Sequence, residues 1–304
     1  MYEYYGFGLN IASEIEFPEL LPAKFAVPDI TITTGEINKE IQGERSDHKD
    51  CVSIISNTEY YLDIIGVCKY HVPDHAKIII EPYPGIDSRS IRLFLLGSVM
   101  AFVLFKKGMI PLHASAIIKN NRLVLFTGDS GAGKSTTLAQ LAIRGHTVFT
   151  DDICVINKDS LGIASYPMIK LWDDALTKLN NDTYREKDFR IKPDLDKYGY
   201  FFYDNFYTDA LPIDKIFVIK VDTNLSEPTY RALTGLKAFD ALAKQVYRRY
   251  LLIGDDLKKR YFKTIANLAN SCKVIEISRP ANADPLVFID KLELLINDNP
   301  TDTP

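Results

Sequence analysis

A chain of 304 residues, 46% hydrophobic and 25% charged, has the composition of an ordinary globular protein with enough apolar material for a full core. Its formal net charge of −4, with both signs interspersed, excludes the broad cationic field of a nucleic-acid binder, so no nucleic-acid partner is expected. The N-terminus lacks the basic start and apolar run of a signal peptide, which leads us to expect a cytoplasmic protein with no membrane partner.

The first third reads as strands. Asp29–Thr34 alternates with the period of a half-buried strand, and Val52–Ser56, Tyr60–Ile65 and Lys77–Glu81 follow at short spacings with turn residues between them. They predict a small, antiparallel, β-rich N-terminal domain over residues 1–87. Edge strands such as Asp29–Thr34 would offer unpaired N–H and C=O groups to an extended peptide, whereas a purely structural domain would blunt them. Pro82, Pro84 and Gly85 end this region, and Ser88 is placed to cap a helix running through Phe105. Within it, Leu93–Phe105 is the most apolar stretch of the chain. It falls short of the roughly 20 apolar residues of a membrane span and predicts a buried core helix. Cys51, Cys68, Cys154 and Cys272 form no C-x-x-C pair and read as free thiols.

A second domain is expected over 88–297, followed by a polar, disordered tail at 298–304. Leu112–Ile118 and Arg122–Thr127 predict strands joined by a tight turn at Lys119–Asn121. Lys134–Arg144 has helical spacing, with Leu138, Leu141 and Ala142 on one face and Gly145 as its stop, and His146–Thr150 is the next strand. Strand, glycine loop, helix and strand make a parallel βαβ unit, so the fold class is α/β. Lys215–Val221 and Lys273–Ile277 predict further strands, and Gly235–Tyr250 and Asp255–Ala269 predict helices.

Gly128–Ser135, GDSGAGKS, matches every fixed position of the phosphate-binding pattern G-x-x-x-x-G-K-[ST], with an apolar strand before it and a helix after it. The frame matters physically. Glycines let successive backbone N–H groups turn toward phosphate oxygens, and the helix start adds the positive end of its dipole. The nucleotide contacts expected are therefore Gly128, Asp129, Ser130, Gly131, Ala132, Gly133, Lys134, Ser135 and Thr136, with ATP and Mg²⁺ as cofactors. Lys134 would reach the β- and γ-phosphates, and the Ser135 hydroxyl would sit on the metal. Asp151 and Asp152 follow the next strand, where a carboxylate can face magnesium. Two adjacent carboxylates allow one to serve the metal and the other the substrate hydroxyl; the alternative reading is a solvated loop or helix cap. His113, alone in an apolar strand, reads as a satisfied core residue unless its neighbours give it a task.

Taken together, His113, Gly128–Ser135, Arg144-Gly-His146 and Asp151-Asp152 resemble the catalytic core of HPr kinase/phosphorylase, with His113 and Asp152 lying 21 and 18 residues from Lys134 as in that family. The resemblance implies a P-loop kinase core with His113, Lys134, Asp151 and Asp152 in the active site. It further implies Asp152 as proton acceptor for a serine hydroxyl, Ser135 as magnesium ligand, and a homo-oligomer. Asp152 is also a candidate metal ligand. The likeness is dense over residues 111–156 and thin elsewhere. The family's E-x-R-G segment, which supplies a magnesium-binding glutamate, has no counterpart; Tyr166–Asp174 occupies its region, where Asp173 or Asp174 could take the metal or cap a helix. Pro111–Ala116, Lys170–Asp173 and Arg279-Pro280 look more like the kinases encoded with lasso-peptide precursors, which implies a serine-containing peptide or small protein as substrate. Arg185, Arg190 and Arg279 are candidates for further γ-phosphate contacts, or ordinary surface arginines.

Three rival readings remain. A GTPase would need a guanine-reading N-K-x-D, which Asn157–Ser160 misses at its fourth position. A transport ATPase would carry L-S-G-G-Q, which is absent. A non-catalytic nucleotide sensor would share the same loop.

Overall fold

The computed structural model describes residues 1–37, 40–173, 190–192, 195–281 and 285–297. The expectations at Asp174, at Arg185 and for the tail at 298–304 lie outside them.

Nine strands make the first sheet: β1 (Tyr2–Gly6), β2 (Leu9–Ser13), β3 (Leu21–Pro22), β4 (Ile30–Thr34), β5 (Glu44–His48), β6 (Cys51–Ile55), β7 (Tyr60–Ile64), β8 (Cys68–Asp74) and β9 (Lys77–Pro82). Their order is β3-β1-β2-β4-β9-β8-β7-β6-β5. Residue alternation fixes the faces: Cys68, Tyr70, Ile78 and Ile80 are buried, with Lys69 and Ile79 less so between them. The Asp74 carboxylate accepts from the N–H groups of Ala76 and Lys77 at 2.7 and 3.0 Å, which closes the β8–β9 turn.

Two expectations are corrected here. The sheet is mixed, because β4 pairs parallel with both β2 and β9. Paired on both sides, β4 has no open edge for a peptide. One true edge, β5, is exposed throughout and reads Glu-Arg-Ser-Asp-His, the charged blunting that discourages strand addition.

Helix α1 (Ser88–Lys106) lies on this sheet. Asp87, not Ser88, is its N-cap and accepts from the N–H of Ser90. Its middle, Leu95–Val99, is a π turn. By length and composition α1 could cross a membrane, yet 72% of its apolar window is buried inside the protein. The sheet and its β2–β3 loop supply the cover: the Tyr70 hydroxyl donates to Ile91 O at 2.8 Å, Phe102 stacks on Tyr60 at 5.2 Å, and Arg92 pairs with Glu19 of the loop at 2.9 Å.

The remaining elements are β10 (Ile110–Leu112), β11 (Ala114–Lys119), β12 (Arg122–Gly128), α2 (Lys134–Ile143), β13 (Thr147–Thr150), β14 (Cys154–Ile156), β15 (Gly162–Ala164), β16 (Met168–Trp172), β17 (Arg190–Lys192), β18 (Leu195–Phe201), β19 (Ile213–Asp222), β20 (Thr229–Leu233), α3 (Gly235–Ala243), α4 (Asp255–Ser271), β21 (Lys273–Pro280) and α5 (Pro285–Asn297). A six-stranded sheet runs β13-β11-β12-β19-β21-β20, beside two three-stranded sheets, β10-β14-β15 and β16-β18-β17. The molecule is thus a mixed α/β fold with several sheets and few helices. β12, β19 and β21 are parallel neighbours. β11 lies antiparallel between β12 and β13, so the helix α2 joins two like-directed strands across an interposed one. Asn120 and Asn121, at φ 51° and 57°, make the left-handed hairpin between β11 and β12.

The predicted helix 235–250 stops at Ala243. Residues beyond it are drawn into backbone pairing with β10: Tyr247 N–H donates to Pro111 O at 2.9 Å and His113 N–H to Gln245 O at 2.8 Å. Hydrogen bonding to a strand, available only in the folded chain, overrides local helical propensity there.

Candidate active site

β12 ends at Gly128 and α2 begins at Lys134, so the phosphate-loop sequence spans the gap between the C-terminal end of a central strand and a helix start. The glycines are required by position. A Cβ on Gly128 would come within 2.3 Å of Ile219 O on β19, and Gly133, the N-cap of α2, holds φ at 99°. The buried Gln245 ties down the start of the loop, its Oε1 accepting from Gly128 N–H at 3.1 Å and from the Thr127 hydroxyl at 3.0 Å.

Lys134 folds back over the first half of the loop and donates to Gly128 O at 2.9 Å and Asp129 O at 3.2 Å. Burial lowers its pKa, and the charges of Asp151 and Asp152 act the other way. From the first turn of α2, the Ser135 hydroxyl donates to Asp151 Oδ1 at 3.0 Å, and Ser115 on β11 donates to the same oxygen at 2.6 Å. Asp151 Oδ2 accepts the Lys170 N–H at 2.9 Å, and the residue is fully buried.

Asp152 faces elsewhere. Its backbone is left-handed, φ 68°, and two neighbouring carboxylates thereby serve two different environments. Lys170 Nζ, rising from β16, donates to Asp152 Oδ2 at 2.7 Å and lies 5.4 Å from the centre of the Tyr166 ring. His113 Nδ1 sits 3.0 Å from Asp152 O and 3.4 Å from Asp152 Oδ1. Burial alone would raise the Asp152 pKa, but the charges of Lys170 and then His113 outweigh it and hold the carboxyl below its ordinary range. Lys170 is the reciprocal case: burial opposes its charge, while Asp152 and Tyr166 hold the ammonium well above its usual value. Burial lowers the His113 pKa, against the pull of Asp152. A neutral ring donating from Nδ1 to Asp152 O leaves Nε2 as an acceptor.

The structure therefore brings together His113, Lys134, Ser135, Asp151 and Asp152 around one loop, with Asp151 rather than Asp152 against Ser135. Asp173 follows the end of β16 and lies within electrostatic reach of Arg190, which itself bonds to Tyr198 and Asp196. Arg279 rests on the loop through a 3.2 Å bond from Nε to Ala132 O. Two site residues, Gln245 and Lys170, were given no role from the sequence. Gln245 lies more than a hundred residues from the loop it pins, so no local pattern announces it. Lys170 did leave a signal: a lysine between Ile169 and Leu171 in an apolar strand must find an anion if it is buried.

These residues suit a magnesium nucleotide. Among the described residues no group of three or more His, Cys, Asp or Glu could hold a metal by itself. Mg²⁺ asks for less, since it keeps several waters and takes one or two protein oxygens beside substrate phosphate. Ser135 Oγ and Asp151 Oδ1, 3.0 Å apart, are such a pair.

No family model matches the sequence, and no curated protein matches it. Among solved structures, the chain is similar to the Hpr(Ser) kinase/phosphatase from Coxiella burnetii, over 61% of this chain and 87% of that one, at 15% sequence identity and a TM-score of 0.32. A likeness this loose assigns neither fold nor chemistry.

Proposed function

We propose that this chain is an ATP-dependent serine kinase with an HPr kinase-like P-loop core. The observation that carries the reading is the pairing at the loop: a phosphate-loop lysine and serine, the serine bonded to buried Asp151, beside a second carboxylate, Asp152, whose side chain keeps 21% of its surface exposed. Magnesium ATP would supply the phosphoryl group and neutralise charge on its oxygens. Ser135 and Asp151 would hold the metal, and Lys134 with the loop N–H groups would hold the phosphates. Asp152 would orient the acceptor hydroxyl and take its proton late. A carboxylate held below its ordinary range is a weak base, which suffices where the transition state is loose. His113 would keep the Asp152 main chain in place through Nδ1.

For the acceptor, we propose the C-terminal serine of a lasso-peptide precursor. Support comes from the sequence resemblance at Pro111–Ala116, Lys170–Asp173 and Arg279-Pro280. The test is incubation of enzyme and magnesium ATP with a serine-terminated precursor peptide, watched for a mass gain of one phosphate. Transfer to the carrier protein HPr alone would keep the kinase and discard the peptide. No ATP turnover with either, or undiminished turnover in Lys134→Ala, would discard the kinase.

A further inference from the structure

The loop is contacted at its two ends by two cations of different kinds. Lys134 Nζ reaches Gly128 O and Asp129 O, in the first half of the loop. Arg279 meets the opposite half: its Nε donates to Ala132 O, and a Cβ built on Gly133 would lie 3.4 Å from the guanidinium. The other hydrogen bond of that guanidinium is to Pro280 O at 3.3 Å, so among the described residues both acceptors are backbone carbonyls. Burial lowers the Arg279 pKa, and among the described residues no carboxylate acts against it. Half-buried, unpaired by any acid among the described residues and planar, this group suits a flat, polarisable surface.

Its surroundings agree. Arg279 is the penultimate residue of β21, and its register partner on the parallel neighbour β19 is Val221, which stands 44% exposed. Partners in register share a sheet face, so an apolar side chain and a guanidinium stand side by side at the C-terminal ends of two strands. Open α/β sheets bind their ligands at that end. A phosphate would draw nothing from a valine, whereas a base would gain from both groups.

We infer that Arg279 and Val221 form a nucleoside subsite, in which the Arg279 guanidinium stacks on the planar base of a bound nucleoside triphosphate. The inference rests on the kinase reading for the placement of the triphosphate, and it moves Arg279 away from the γ-phosphate contact expected from sequence. The experiment compares ATP with inorganic tripolyphosphate, both with magnesium, titrated calorimetrically against the full chain and against Arg279→Met and Arg279→Lys. Loss of one stacking contact should weaken ATP about tenfold in Arg279→Met and leave tripolyphosphate unchanged. Arg279→Lys keeps the charge but not the plane, and should fall with the methionine variant. The ratio of the two ligands does not depend on how much protein is folded. Equal losses for both ligands, unchanged ATP binding, or full rescue by lysine would each overturn the subsite while leaving the kinase standing. A wild-type chain that binds neither ligand would overturn both.

Discussion

At the scale of single residues, the two aspartates differ in what surrounds them. Asp151 is buried and accepts from Ser115, Ser135 and the Lys170 N–H, while Asp152 is paired through its side chain to Lys170 and opens toward solvent. Asp151→Asn should therefore lower magnesium-nucleotide affinity and rate together. Asp152→Asn should cost about 10²- to 10⁴-fold in phosphotransfer and leave nucleotide affinity nearly intact. Calorimetry beside a transfer assay separates them, and equal affinity losses would merge the roles. The ion pair yields a second prediction. Lys170→Met strands Asp152 with part of its partner set gone, and should cost about 3 kcal/mol at pH 7 by denaturant unfolding. Asp152→Asn added to it should restore part of that loss, because the stranded charge disappears. The pH dependence has a fixed sign. A carboxyl whose native pKa lies below its unfolded value of about 3.9 adds stability above that pH and loses it as pH falls toward the native value. The deficit of Lys170→Met should accordingly shrink below pH ~4, where the pair contributes less in the parent.

At the scale of elements, legibility followed whether the deciding interaction was local. The strand–loop–helix from Arg122 to Ile143 was readable because its signals are local: a continuous apolar run, glycines at forced dihedrals, helical spacing and Gly145 as a stop. Partners supplied from afar were not. Nothing within Asp29–Thr34 says that β2 and β9 flank it in parallel, so an interior strand read as an edge. The two-residue β3 left no run long enough to read, and β1 and β2, although as long as β4, were not singled out. The end of α3 was equally hidden, since the pull on residues 245–247 comes from β10. Among the site residues, the aspartates were legible as a pair, but their assignment to separate partners needed the left-handed Asp152. Gln245 shows what such a distant segment is worth. Gln245→Leu would leave the buried Gly128 N–H without its acceptor, a loss of about 1–3 kcal/mol. Thermal unfolding should register that loss, and nucleotide affinity should fall with it as the loop's first glycine loosens. Unchanged stability would mean that the main chain finds another acceptor.

At the scale of the whole molecule, the boundary expected near residue 87 falls between elements that share one core. A single cluster of buried apolar residues runs from Tyr4 and Tyr70 of the first sheet, and Phe17 between β2 and β3, through Phe102 and Phe105 of α1 to Leu125, Ile216 and Val274 of the second. A separate cluster under α2 and α5, with Leu138, Phe217, Ile277 and Phe288, covers the other face of the second sheet. Helix α1 is the shared piece: its residues Met100–Phe105 are all buried. If residues 1–82 were removed, Phe102 would lose Tyr60 and Ile91 O would lose the Tyr70 hydroxyl, and the most apolar helix of the chain would face water. A patch of that kind drives association. We therefore expect a fragment of residues 83–304 to aggregate or to expose dye-binding apolar surface, and the full chain to unfold with N-terminal and catalytic probes moving together. The discriminating core substitution is Phe102→Ala, which should cost about 3–5 kcal/mol. Its loss should appear equally in a fluorophore placed on the exposed β5 and in one placed on α4, because one core supports both regions. A chain in which β5 melts first while nucleotide binding survives would show instead that the first sheet is held by its own contacts, with α1 remaining folded on the second.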